Sequence, residues 1–246
     1  MQEGCVLCPR KCGVDRNIQR GACNAPYFPY VAKAALHMWE EPCISGKRGS
    51  GAIFFCGCNL KCVFCQNYDI SNGSVGKMYD AEGIAGLMLR LQGKGAHNVN
   101  LVSPAPFVPV LADAIRAAKN RGLSIPVVYN TNSYETLEAL RMLDGLVDIY
   151  LPDLKYVSGN IARKYSGAEN YFEYAAPAIR EMFRQVGLLE LDGDGLANKG
   201  VIIRHLVLPG SVDETRRVLK YLAENFPKNI TVSLMSQYVP CYNAHG

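Results

Sequence analysis

From residue 50 onward, short apolar runs alternate with longer amphipathic ones, and this alternation limits the fold more than any other feature of the chain. Residues 51–56, 98–102, 125–130, 145–151, 201–208 and 230–235 read as strands, whereas 81–92, 108–120, 134–142, 177–186 and 212–225 carry helical periodicity. Strands separated by helices cannot pair through tight hairpins, so they lie parallel and are joined by right-handed crossovers. The stretch Val147-Asp148-Ile149-Tyr150-Leu151 is nearly all apolar, which demands cover on both faces of the sheet. Asp80 and the Ser133 to Thr136 stretch supply oxygens that can cap helix starts, and Pro109, Pro177 and Pro227 punctuate helices. The expected class is therefore α/β, with six strand–helix units; period alone does not say whether the sheet is open or curved.

The first 48 residues break the pattern. They hold five of the ten cysteines, and only 31–38 reads as helical. Large apolar side chains are too few there for independent folding, so stability must come from bound metal, from the body of the protein, or from both. The chain is expected to divide into a cysteine-rich segment, 1–48, and a body, 49–246.

With 246 residues, 49% hydrophobic and 20% charged, and no run of eighteen apolar residues, the sequence predicts a soluble cytoplasmic protein without a membrane segment. A net charge of +4, from 26 basic and 22 acidic residues, forms no basic stripe, and nothing asks for nucleic acid. Ten cysteines could pair as disulfides, but their grouping at 5, 8, 12, 23 and at 56, 58, 62, 65 fits metal ligation in a reducing compartment better.

Cys58-x3-Cys62-x2-Cys65 directly follows the apolar run Ile53-Phe54-Phe55 and so leaves the first strand at its C-terminal end. Three thiolates can ligate three irons of a cubane and leave the fourth open, whereas structural zinc and electron-transfer cubanes take four protein ligands. Polar clusters end other strands: Ser103-Pro104, Asn130-Thr131-Asn132 and Asp153-Leu154-Lys155. That rim is where chemistry sits in a βα barrel, and equally in an open α/β sheet. Cys56 reads as a buried small hydrophobe, Trp39 as a packing anchor, and Glu40 and Glu41 as orienting groups near the mouth. Cys5, Cys8, Cys12 and Cys23 offer four soft ligands, enough for tetrahedral zinc or for a second iron–sulfur cluster, and spacing does not choose between them. The rival to an enzyme is a zinc- or iron–sulfur-containing electron-transfer or interaction protein.

The three-cysteine run, with Phe64 before its last cysteine, resembles the signature of the radical S-adenosylmethionine superfamily. Further fragments, among them Cys8-Pro9-Arg10-Lys11-Cys12-Gly13, Tyr150-Leu151-Pro152-Asp153-Leu154-Lys155 and Ile203-Arg204-His205-Leu206, are similar to an uncharacterised branch related to pyruvate formate-lyase activating enzyme. The resemblance implies a partial (β/α)6 barrel of TIM type and a [4Fe-4S] cluster on Cys58, Cys62 and Cys65, with S-adenosylmethionine on the open iron. Reductive cleavage to a 5'-deoxyadenosyl radical then serves hydrogen abstraction, from a glycyl-radical enzyme in the activase case. A reducing donor such as flavodoxin or ferredoxin, and a protein or peptide substrate, are the implied partners.

Residue by residue, Ser103, Asn130, Asn132, Asp153 and Arg204 are the expected cofactor-binding positions, and Lys155 and His205 the catalytic candidates. Period-2 alternation sends Arg204 and His205 to opposite faces of their strand. Ala105-Pro106-Phe107 departs from the branch's Thr-His-Phe, and Ser133 stands where glycine is usual. After the last strand, residues 235–241 are expected to return to the rim; relatives continue beyond His245-Gly246, so a less covered opening is expected here.

Overall fold

The computed structural model describes residues 4–73 and 75–245; Gly246, part of the expectation about the chain end, lies outside them. Along the chain run β1 (Tyr30–His37), α1 (Pro42–Ser45), β2 (Ser50–Phe55), α2 (Tyr68–Ser71), β3 (Lys77–Met78), α3 (Ala81–Gly93), β4 (Val99–Val102), α4 (Val108–Asn120) and β5 (Val127–Thr131). The second half adds α5 (Leu137–Arg141), β6 (Ile149–Pro152), α6 (Gly159–Ser166), α7 (Tyr171–Val186), β7 (Glu190–Leu191), β8 (Ala197–Leu206), α8 (Val212–Asn225) and β9 (Thr231–Met235). Strands β2, β4, β5, β6, β8 and β9 pair in that order, all parallel, and form the partial barrel. β1 and β3 extend it antiparallel at one edge, and β7 pairs antiparallel with the start of β8.

Alternation along the strands splits the core in two. Leu101, Tyr129, Tyr150 and Ile203 pack outward with Met88 and Leu91 of α3, Leu111 and Ile115 of α4, and Ile179 and Met182 of α7. Facing the other way, Val128, Ile149, Leu151 and Ile202 meet Ile44 of α1, which plugs the barrel floor. Burying each such side chain contributes roughly 1.5–3 kcal/mol, so the parallel strands hold together through both faces. At the floor, the Asn98 amide donates to the Ile44 carbonyl (2.8 Å) and the Ser50 hydroxyl donates to Asn98 Oδ1 (2.5 Å).

Three local expectations need correction. Residues 31–38 do not form a helix. They are β1, because β2 would otherwise expose a sheet edge, and pairing with it outweighs the helical preference of the three alanines. Pro177 does not open a helix but lies inside α7, which starts at Tyr171; its missing amide withdraws the helical bond that would reach the Glu173 carbonyl. Trp39 is no packing anchor, since it stands 87% exposed. The caps fared better: Asp80 Oδ1 accepts from the Gly83 amide (2.8 Å), and Thr136, last of the expected four, caps α5. No helix among the described residues is long and apolar enough to cross a membrane.

Glu135, just past β5, is buried; Tyr129 donates its hydroxyl to it (2.6 Å), as does Thr131. Burial pushes its carboxyl up to about 7, against the pull of those two hydroxyls. The native chain therefore keeps a proton that the unfolded chain releases from about pH 4.5. This group's contribution is full below that pH, falls as pH rises through about 7, and is then roughly 3 kcal/mol smaller. Glu135→Gln should accordingly raise the unfolding midpoint relative to wild type at about pH 8.5 and change it little at about pH 5. Equal shifts at both pH values, by thermal unfolding, would contradict this account.

Candidate active site at the sheet rim

The cysteine loop leaves β2 through Gly57, whose φ of +93° favours glycine and whose added Cβ would lie 2.8 Å from the Cys23 carbonyl. Backbone bonds then pin the loop to α6: Lys61 N donates to Ser166 O (3.0 Å) and Val63 N to Tyr165 O (2.9 Å). Asn132 donates its amide to Cys58 Sγ (3.4 Å), and Cys62 Sγ lies 3.0 Å from Ser166 Oγ. Burial pushes the Cys58 thiol up to about 12 and raises Cys62 too, while Lys155 pulls both back. Uncomplexed, these thiols stay protonated near neutrality, so soft-metal ligation must displace their protons. Cys56 is buried and its thiol donates to the Val75 carbonyl, which matches a packed residue and not a ligand.

Facing the loop, a charged network crosses the rim. Arg204 Nε donates to Asp153 Oδ1 (3.0 Å), its second nitrogen to Asn130 Oδ1 (2.6 Å) and its third to Glu40 Oε2 (3.3 Å). Lys155 Nζ donates to the other Asp153 oxygen at 2.7 Å. Burial alone would raise Asp153, but Lys155 and Arg204 outweigh it and hold the carboxyl below its usual range. Burial opposes charge on Lys155 as well, yet Asp153 keeps its ammonium protonated. For Glu40 burial wins, so its pKa rises despite Arg204. Tyr171, from the start of α7, ties this network to the loop: its hydroxyl accepts from Lys155 N (3.1 Å) and lies within 2.7 Å of Asp153 O and 2.9 Å of Asn132 O.

The structure thus gathers Cys58, Cys62, Cys65, Asn130, Asn132, Asp153, Lys155 and Arg204 on one rim. Ser103 directly follows β4 with φ +58°, its amide donating to Asn130 O (3.0 Å), and Ser133 takes φ +65°, which explains why glycine suits that position. His205 is the exception. It points to the helix side, where Nδ1 lies 2.7 Å from Leu154 O and Nε2 2.9 Å from Thr215 Oγ1 of α8. Both nitrogens are engaged in a buried site that lowers the imidazole pKa, so the expectation of a catalytic histidine is withdrawn in favour of a packing role. His205→Leu should cost about 1–3 kcal/mol in urea unfolding, by leaving buried polar partners unmet. Cofactor cleavage per folded molecule should be unchanged, and a variant that folds normally but loses cleavage would restore the catalytic role.

Sequence reasoning missed Ser166 and Tyr171 and underweighted Glu40; all three arrive through long-range contacts that leave no local motif. Asn59, inside the motif, carried a signal in its position. Its amide donates to Tyr134 O (2.6 Å) and its oxygen accepts from Asn132 (2.9 Å). The C-terminal stretch returns as expected: Phe64 packs on Tyr238, and Tyr68 stacks on Tyr242 with ring centroids 5.2 Å apart.

The family model described as the radical SAM superfamily matches residues 52–222, from β2 into α8. The chain belongs to the radical SAM superfamily. An uncharacterized protein of Methanocaldococcus jannaschii is 34% identical over 98% of this chain and 68% of its own. Among solved structures, Streptococcus suis SuiB bound to the precursor peptide SuiA aligns over 75% of this chain at TM-score 0.52 and 14% identity, and SuiB bound to S-adenosylmethionine over 76% at 0.50 and 16%. A tagged anSMEcpe with bound AdoMet aligns over 72% at 0.50 and 15%. These show a shared fold; this chain spans about 40% of the SuiB chains' length and 48% of that of anSMEcpe.

The family implies an iron–sulfur cluster and S-adenosylmethionine, and the rim fits both. It presents three soft thiols with polar groups against two of them. Two residues deeper than Asn130 in the strand register, Asn100 is buried with neither amide atom hydrogen-bonded among the described residues. Such an orphaned donor and acceptor below the rim suits a polar ligand.

Proposed function

We propose that this radical SAM enzyme reductively cleaves S-adenosylmethionine at a [4Fe-4S] cluster held by Cys58, Cys62 and Cys65, giving methionine and a 5'-deoxyadenosyl radical that abstracts hydrogen from a substrate. The observation that carries this reading is the convergence of the three-thiol loop with the Asp153–Lys155–Arg204–Asn130 network on one parallel-sheet rim. The chain's own residues prepare the site. Hydrogen bonds from Asn132 and Ser166 to sulfur, together with the nearby Lys155 ammonium, favour added negative charge at the thiolates and so ease reduction. Lys155 keeps ammonium protons beyond the one given to Asp153, which suits a ligand carboxylate, while Asn130 and Asn132 present amides beside it. Phe64, Tyr238 and the loop's contacts with α6 limit water at the cysteines.

Anaerobic reconstitution followed by addition of reductant and S-adenosylmethionine tests the proposal. Formation of 5'-deoxyadenosine, and a [4Fe-4S] electron paramagnetic resonance signal that shifts with S-adenosylmethionine, are expected. Absence of both would leave the zinc or electron-carrier reading in its place. Within the proposal, a flavodoxin- or ferredoxin-class donor supplies the electron, and the hydrogen comes from a protein or peptide, a glycine in the activase form. The similarity of fragments such as 150–155 and 203–206 to activating enzymes supports that form, and deuterium transfer from a labelled polypeptide into 5'-deoxyadenosine tests it.

A further inference from the structure

The N-terminal cysteines remain outside the site just described, yet they are built against it. Residues 5–14 form a closed knuckle in which Cys5 N donates to Val14 O (2.9 Å) and Gly13 N to Cys5 O (3.1 Å). Cys5, Cys8, Cys12 and Cys23 line one small cavity, and Gly21 lets Cys12 in, since a Cβ there would meet its sulfur at 2.4 Å. The floor belongs to the radical SAM loop. Cys58 N donates to Cys23 O (3.1 Å), Arg10 Nε donates to Asn59 O (2.9 Å), and Asn59 is the lining residue whose side chain also meets Asn132.

Two observations point to an anionic cluster in this cavity. Arg16 lines it and is 7% exposed, yet no carboxylate pairs with it among the described residues; its guanidinium donates to the carbonyls of Ala25, Pro26 and Pro106 and lies over the Phe107 ring. A buried cation needs compensating charge, and four thiolates around a metal centre carry it. The Ala105-Pro106-Phe107 departure thereby gains a role, as the wall that receives Arg16. The second observation is one of chemistry: Cys5, Cys8, Cys12 and Cys23 bring four thiols to one cavity, the soft donors that iron–sulfur clusters take. Cys5-x2-Cys8-x3-Cys12 also spans as many residues as Cys58-x3-Cys62-x2-Cys65, in mirrored order.

We propose that Cys5, Cys8, Cys12 and Cys23 hold a second [4Fe-4S] cluster, placed to pass one electron to the cluster at Cys58, Cys62 and Cys65 through Asn59 and Asn132. The relay rests on the function proposed above; the second cluster does not. In the step, a reduced ferredoxin- or flavodoxin-class carrier loses one electron, the N-terminal cluster is reduced and reoxidised, and the rim cluster gains that electron; no bond changes and no proton moves.

Metal, sulfide and spectroscopic analysis of anaerobically reconstituted full-length protein decides the matter. Wild type should carry about eight irons and eight sulfides with no zinc, and its fully reduced spectrum should show two coupled spins. Simultaneous Cys58→Ala, Cys62→Ala and Cys65→Ala should retain about four irons and a reduced-cluster signal that S-adenosylmethionine leaves unmoved. Four irons with one zinc in wild type, six irons, or an iron-free triple variant that still folds by circular dichroism would overturn the second cluster. Eight irons without any 5'-deoxyadenosine would instead sink the proposed reaction and leave this site standing. For the relay, Asn59→Ala should slow rim-cluster reduction by reduced ferredoxin at least about tenfold at unchanged iron content, and an unchanged rate would overturn it.

Discussion

Cys62→Ala should lose about four irons per chain and drop 5'-deoxyadenosine formation to background, while unfolding little differently from wild type. The loss follows from ligand count: Cys58 and Cys65 alone cannot anchor a cubane that must also leave one iron for the cofactor. The modest effect on folding follows from how the loop is held. Its backbone amides at Lys61 and Val63 bond to the end of α6, and Phe64 packs on Tyr238, so the shape does not depend on the thiol. Cys56→Ala is the matched control, two residues before Cys58 and buried, and should keep full iron content. Iron analysis and chromatographic detection of 5'-deoxyadenosine check both. A Cys62→Ala protein that still cleaves S-adenosylmethionine would overturn the ligand assignment.

How far the sequence could be read depends on whether a residue's role is local. The inner parallel strands were legible because burial leaves them mostly apolar, and the cysteine loop because its ligands lie within eight residues; β9, with no buried residue, was legible from its position after a helical stretch. Asp153 and Lys155 were readable as a rim pair since a strand end fixes their position. β1 was not, because its alanines favour a helix and only the waiting edge of β2 makes it a strand. Glu40 was weighed without its partners: it meets Arg204 across 164 positions of chain. Tyr171 and Ser166 fail in the same way, since their hydroxyls matter only once α7 and α6 are folded against Lys155 and Cys62. His205 misled because a histidine beside Arg204 on a strand looks poised for chemistry. Alternation had already placed the two on opposite faces, and the rest was decided by Thr215 on α8.

Arg204→Gln should destabilise the fold by about 3–5 kcal/mol near neutral pH and weaken S-adenosylmethionine binding, because it removes one partner from a buried charge network. In wild type, Arg204 and Lys155 together balance Asp153 and Glu40. Without the guanidinium, Glu40 keeps only the weak contact from Asn130 (3.5 Å), and Asp153 keeps Lys155 alone. Glu40, already raised by burial, would take up a proton, and Asp153 would titrate at higher pH than it does now. The sign of the pH dependence follows. Asp153's depressed pKa contributes stability that is present above its unfolded value near 4 and lost as pH falls through the lower folded value. The gap between wild type and variant should therefore be widest at about pH 7 and narrow below about pH 4. Arg204→Lys should fall between the two, since an ammonium restores charge but cannot reach Asp153, Asn130 and Glu40 with one planar fork. Urea unfolding across pH and calorimetric titration of reconstituted protein with S-adenosylmethionine measure these effects. A gap that does not change with pH would mean that packing, and not charge, is what Arg204 contributes.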